Sequence, residues 1–450
     1  MIAYDSVRSA LATLSGPAHL FSDLFAERNI VGAYEMANGV GKDVQFRAHQ
    51  GIGLRVTNLH GTRHVYTSDL SEQGLEALTQ TLRDNQPFRP PSAHTSHIHD
   101  TDVTLDDLKI VAHEVSETAL AEKAGNMDIN VIARLFHQQV LIGCDDGGIY
   151  EDLRAYAAVR IDVIARQGRK VRSSQRAIGA RVPGDLRKGD GHRSLARQAV
   201  QAALERLEAI DAPSGEFPVI LGPGGPATLL HEACGHPLEA DLALHPKSAY
   251  YGLLHTPVAA PCVTLLDSPG VVSQAPVYSY DDEGEPAQST VLIEKGVLRN
   301  YLFDKRTAQA AGQHSNAHAR RLSYAYPPLP RMSMTYIAPG ESYPDEILAE
   351  TPHGILVREI SGGDTDMGSG RFNLQVNEAY LIEHGRITAP LKGIVLSGRG
   401  PDVLRAIDRV GNDTTFVNHC YVCNKLNQFP LLVSIGQPTL RVSNMRVWGG

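Results

Sequence analysis

His231, Glu232 and His236, set on an otherwise apolar segment between Leu229 and Asp241, are the residue types that a metal-dependent hydrolase uses. Neutral imidazoles hold the ion, and a carboxylate takes a proton from the attacking water. The spacing is His-Glu-x-x-x-His. On a regular helix, histidines five apart splay by roughly 140°, whereas the usual spacing of four keeps both on one face. The segment itself supplies a cause for bending. Pro237 has no N–H for the Ala233 carbonyl and its ring crowds that group, while Gly235 admits unusual dihedrals just before it. A single-turn bulge at 234–237 is therefore expected to absorb the extra residue and bring both imidazoles to one face. The alternative reading is a buried amphipathic helix with two hydrogen-bonded histidines.

A catalytic zinc ion takes three protein ligands and keeps one position open. The C-terminal run Asn418 to Lys425 offers His419, Cys420 and Cys423 as further donors. If both thiols joined the two histidines, the result would be a closed Cys2His2 tetrahedron without room for water, a structural site and not a hydrolytic one. The Cys-x-x-Cys pair also suits a redox switch. Asp281, Asp282 and Glu283 read either as partners that orient a ligand histidine or as a solvated turn.

The elements that must position these groups follow from composition and patterning. A chain of 450 residues with 42% hydrophobic content exceeds one ordinary core and predicts two domains. The net charge of −8 argues against a sequence-independent nucleic-acid binder. The apolar stretches are strand-sized, far short of the roughly 20 residues that span a bilayer, and Met1 to Leu14 lacks the marks of a signal peptide. A soluble, cytoplasmic protein without a membrane partner is the expectation. Five cysteines in such a chain do not make a disulfide framework.

In chain order, residues 4–14 read as a helix, and 30–36, 44–49, 52–58 and 63–68 as strands. Gly51-Ile-Gly53 is no dinucleotide fingerprint, because a strand and not a helix follows it. A helix is expected at 72–84, ending before the Pro-rich run 87–91, and another at 111–123. Strands at 128–144 and 153–167 flank the turn Asp145-Asp146-Gly147-Gly148. Residues 169–190 are basic and glycine-containing, and read as a mobile loop beside a cleft. Ser194 is expected to cap a helix running through Leu207. The run 212–215 marks the boundary, followed by a buried strand, 217–221, and the motif helix with Pro226 at its first position. Beyond residue 258 come short strands at 264–267, 271–277, 291–295, 335–337, 378–383 and 433–434. The fold class expected is α+β: a mixed α/β domain over 1–211, then a mainly antiparallel, barrel-like β domain over 212–450 that carries the motif helix.

From about Ala212 onward the chain resembles the TldD/PmbA family of metalloproteases, on its metal-bearing TldD side. The matching stretches are Leu230 to Asp241, Tyr280-Asp-Asp-Glu-Gly284, Ala319-Arg-Arg-Leu-Ser-Tyr324 with Pro330-Arg-Met332, and Ile435-Gly-Gln-Pro-Thr-Leu440, with Gln50-Gly-Ile-Gly-Leu-Arg55 in the N-terminal half. The resemblance implies a zinc-dependent peptidase acting on small or unfolded peptides bound in extended form. It implies His231, His236 and Cys423 as zinc ligands and Glu232 as catalytic base, with Cys420 at no ligand position. It also implies a dimer, either with a metal-free PmbA/TldE-like homologue or with a second copy. That homologue's side of the family supplies a rival reading, a non-catalytic peptide-binding subunit. The chain departs from the family in having Asn424, Leu426 and Asn427 where glycines stand, and asparagine is expected to tolerate the left-handed turn. Arg321, Tyr324 and Arg331 lie in matching stretches but are assigned no catalytic role.

Overall fold

The computed structural model describes residues 2–88, 105–270 and 278–450, apart from the side chains of 418–420. The strand expected at 271–277 and the Pro-rich run beyond residue 88 lie outside the described residues.

Long alternating segments build the first sheet. Strands β1 (His19–Ala37), β2 (Val40–Asn58), β3 (Gly61–Thr67), β4 (Asn126–Cys144), β5 (Ile149–Gln167) and β6 (Lys170–Ala180) pair antiparallel in the order β3-β2-β1-β4-β5-β6. Period-two alternation puts Val131, Ala133, Leu135, Val159 and Ile161 on one face. There they pack under helices α3 (Asp106–Ala121) and α4 (Gly191–Glu205). Helices α1 (Tyr4–Ala12) and α2 (Glu72–Arg83) cover a second apolar patch around Leu24, Ile52 and Leu54. The Ser71 hydroxyl caps α2 by accepting from the Gly74 amide at 3.2 Å.

Two expectations need correction. The basic stretch 169–190 is not a loop: Gly168, at φ 58°, reverses the chain into β6, and a 3-10 turn follows at Pro183–Arg187. An edge strand is partly solvated on both faces and takes charged side chains without penalty, so no alternation marks it. Helix α4 begins at Gly191, with Asp190 and not Ser194 at the capping position. Gly51 and Gly53 lie inside β2, where an added Cβ would come within 2.4 and 2.2 Å of Tyr324 atoms. These glycines serve close packing, in agreement with the rejection of a nucleotide loop.

In the C-terminal half, five strands close on themselves. His353–Asp366, Gly215–Leu221, Leu440–Gly449, Ile394–Arg399 and Arg371–Glu383 are paired in that order, and the last pairs again with the first. The architecture is thus the expected α+β class with a barrel, although the barrel is closed and contains one parallel pair, His353–Asp366 with Gly215–Leu221. Closure removes the exposed edges that an open sheet leaves. A six-stranded sheet stands beside it, ending in the hairpin of Gln428–Gln437 and the edge strand Thr415–Lys425. The motif segment packs its apolar side chains, Leu229, Leu230, Ala233 and Leu238, into the same core as Val219, Leu221, Phe372 and Leu374 of the barrel. No helix among the described residues is long and apolar enough to cross a membrane.

The hairpin turn also differs from expectation. The left-handed residues are Leu426 (φ 48°) and Asn427 (φ 65°), between Lys425 and its partner Gln428. A two-residue hairpin requires positive φ at both central positions, so Asn424 stays in the strand and the strain of about 1 kcal/mol falls on leucine.

Candidate metal centre

The chain bends where the proline and glycine predicted a bend, but the irregularity starts earlier. A short helix, Ala227–Leu229, opens into a π turn at Leu230–Gly235 and tightens into a 3-10 turn at His236–Leu238. Pro237 cannot donate to the Ala233 carbonyl, and that carbonyl is approached by Gly370 and Gly400, where an added Cβ would come within 2.5 and 2.0 Å of it. Gly235 has a packing duty as well: a Cβ there would sit 2.2 Å from the Met332 sulfur. The widened turn absorbs the extra residue, and the rings of His231 and His236 meet edge to face with centroids 5.0 Å apart.

The third donor arrives from the other end of the chain. Cys423, on the edge strand Thr415–Lys425, places its sulfur 3.2 Å from His236 Nε2. Ligand atoms of His231, His236 and Cys423 all lie within 4.8 Å of one another, and all three residues are buried. The expected role of Cys420 cannot be placed beside them, because its side chain lies outside the described residues.

Two observations fit this cluster to a metal ion. Both ring nitrogens of His231 are buried without a hydrogen-bond partner among the described residues. Such an orphan costs about 1–3 kcal/mol, which a coordinated cation removes. The second is charge. Burial pushes the Cys423 thiol up, but the nearby imidazoles of His236 and His231 outweigh it and hold the thiol well below its usual range. A thiolate with two imidazoles is a donor set suited to zinc.

A further shell orients His236. Its Nδ1 lies 2.8 Å from Glu239 Oε2, which also accepts from Lys425 Nζ at 2.8 Å. The Met332 amide donates to Glu239 Oε1 at 3.2 Å, and Lys425 Nζ donates onward to Asp241 at 2.6 Å and to the Pro330 carbonyl at 2.9 Å. A carboxylate on Nδ1 holds the proton there, so Nε2, beside Cys423, is the nitrogen that would give up its proton and bind a metal ion. Burial alone would disfavour charge on His236, yet Glu239 and Cys423 push its pKa up to about 10. Burial likewise disfavours the Glu239 carboxylate, but Lys425 and His236 hold it well below the usual range. Neither Glu239 nor Lys425 was singled out from the sequence. The available signal was an acid one tight turn beyond the second histidine and a lysine two residues beyond the cysteine.

Asp281, Asp282 and Glu283 do not surround the histidines, nor do they form a solvated turn. All three are buried. Asp282 accepts from Arg154 at 2.7 Å, Glu283 pairs with Arg55, and Asp281 accepts the backbone amides of Glu283, Glu285 and Ala319 at 2.9–3.0 Å. Arg321 joins the same network through Asp23 at 2.9 Å, and the Tyr324 amide donates to Glu27 at 2.8 Å. These groups bolt the C-terminal half to the first sheet. Arg331 is fully buried with no hydrogen-bond partner on its guanidinium among the described residues, and its charge helps to hold Glu239 ionised.

Glu232 stands at the open side. Its side chain is 25% exposed, while His236 is fully buried. One carboxylate oxygen accepts from the Tyr421 hydroxyl at 3.2 Å, and the other lies 3.9 Å from His236 Nε2. The Tyr421 ring in turn packs 5.3 Å from that of His231. Burial and the neighbouring Glu232 raise the Tyr421 phenol well above its ordinary range, so it stays a neutral donor. The arrangement places a water-accessible carboxylate beside the candidate cation site, where it could accept a proton.

Residues 214–449 match the family described as PmbA/TldA metallopeptidase C-terminal domain. The chain is 30% identical to the metalloprotease TldD homolog of Haemophilus influenzae, over 95% of this chain and 93% of that relative. It is 26% identical to the zinc metalloprotease TldD homolog of Saccharolobus solfataricus, over 95% of this chain and 96% of the relative. Among solved structures, TldE from Thermococcus kodakarensis superposes with a TM-score of 0.80 at 16% identity, covering 99% of this chain and 100% of that one. That likeness shows the fold.

Proposed function

From its membership of the PmbA/TldD metallopeptidase family, we propose that this chain is a zinc-dependent peptidase that cleaves small or unfolded peptides bound in extended form. The observation that carries the reading is the buried His231, without a hydrogen-bond partner among the described residues, beside His236 and Cys423, with Glu232 at the open side. His231, His236 and Cys423 would hold the ion. When bound, zinc supplies Lewis-acid polarisation of the scissile carbonyl and lowers the pKa of the attacking water. Glu232 takes that water's proton and returns it to the leaving amine. Tyr421 keeps the Glu232 carboxylate turned toward the site, and Glu239 keeps Nδ1 of His236 protonated so that Nε2 is available. The strand Thr415–Lys425 pairs with only one described strand and lies against β5 and β6 of the first sheet, so a peptide backbone would pair with its unpaired edge in the space between them.

The rest of the reading concerns surroundings. The unit 212–450 would carry the chemistry and 1–211 would wall the cleft. A metal-free TldE-like homologue is the proposed partner, with a homodimer as the variant, and the cytoplasm is the proposed location. The test is zinc content by metal analysis, together with digestion of unstructured peptides by the chain alone and mixed with such a homologue. Absence of stoichiometric zinc, or of cleavage in both settings, would refute the peptidase reading.

The role given to Glu239 has its own check. Glu239→Gln is expected to weaken zinc affinity by about 10–100-fold through loss of the carboxylate behind His236. Competition with a chromogenic chelator measures it, and wild-type affinity would remove Glu239 from the site.

A further inference from the structure

Beside the candidate metal centre, and lined in part by Tyr421, is a cavity of about 290 Å³. Tyr421 and Val422 of the edge strand form one wall, Ser361 closes an end, and the first sheet forms the opposite wall with Arg134, Arg160 and Gln175. Register explains why these side chains converge. Arg160 on β5 stands opposite Ile132 and Ala177, and Arg134 on β4 stands opposite Ala158, so all point to the face away from α3 and α4.

The charges in this cavity are not balanced. Arg160 pairs with Asp162 at 3.0 Å, and Gln175 holds the other oxygen of that carboxylate at 2.7 Å. Arg134 has no ion pair or hydrogen bond among the described residues, and its cross-strand neighbours, Ala33 and Ala158, neither cover nor neutralise it. Arg134 is exposed and unpaired where the cavity shares a wall with the candidate site, so its guanidinium is free to meet a ligand that enters there. An arginine fork matches a carboxylate in two parallel hydrogen bonds.

We propose that this cavity is a specificity subsite that takes a carboxylate of the peptide, from an acidic side chain or from the C-terminus, on Arg134 with Arg160 behind it. The inference rests on the peptidase reading for its link to turnover, but not for binding. A peptide lying along the edge strand would place one residue beside Tyr421 at Glu232 and direct a neighbouring group past that ring onto the first sheet.

The experiment uses the full chain with zinc, and with its partner homologue if turnover needs one. Fluorescent alanine-rich peptides carry a single glutamate or a single glutamine at successive positions with an amidated end, and an all-neutral peptide is made with a free or an amidated C-terminus. Cleavage is read as kcat/KM, and binding is read by anisotropy on Glu232→Gln protein. The carboxylate form is expected to be preferred by roughly tenfold to a hundredfold in both readouts. Whichever pair carries the preference identifies the side chain or the terminus as its source. With lysine added to the same panel, Arg134→Glu should invert the preference in favour of lysine-bearing peptides, an outcome that a misfolded variant cannot produce. Equal binding of carboxylate and neutral forms by the parent protein, or an unchanged preference in Arg134→Glu, would overturn the proposal. Loss of all cleavage with the binding preference intact would instead count against the peptidase reading alone.

Discussion

Glu232→Gln is expected to lower peptide hydrolysis by about 10²–10⁴-fold and to leave zinc bound. The carboxylate lies 3.9 Å from His236 Nε2 and is the water-accessible member of the cluster, which suits a proton acceptor better than a ligand. Glutamine keeps the shape and can still accept from the Tyr421 hydroxyl, so the neighbouring packing survives. What it loses is the basic oxygen that must take a proton in the transition state. Metal analysis beside kcat on an unstructured peptide separates the two effects. Full zinc with near-wild-type turnover would show that Glu232 is not the base, and joint loss of zinc and turnover would make it a ligand.

The second large effect concerns the C-terminal thiols. Cys423→Ala is expected to lose both zinc and activity, because it removes one of three protein donors and leaves two buried histidines to hold the ion alone. Cys420→Ala is expected to keep both. A tetrahedral ion with two imidazoles, one thiolate and one open position is complete, and a fourth protein ligand would occupy the place from which Glu232 takes its proton. Metal stoichiometry and turnover under reducing conditions, which remove any disulfide between the two thiols, distinguish the variants. Zinc loss in Cys420→Ala would replace the peptidase reading with a closed structural site.

Whatever depends on neighbours along the chain was legible in the sequence. The bend at the motif follows from Pro237 and Gly235, since a missing N–H and a missing Cβ act on the turn that contains them. Strands β4 and β5 and helix α2 follow from alternation at periods of 2 and 3.6, because one-sided burial writes itself into the residue order. The site residues, however, owed Cys423 to a family resemblance, and only the pairing of two C-terminal strands carries its sulfur to His236, 187 residues away. The same holds for ion partners. Acids at 281–283 serve arginines and a backbone turn near the first sheet, while Glu239, unremarked in the sequence, serves His236. A carboxylate looks the same at either place, and which cation it meets is set by how sheets stack. Strand β6 was hidden for a related reason: an edge strand with both faces partly wet has no alternation to read, and its place beside the edge strand of the site exists only in the folded chain.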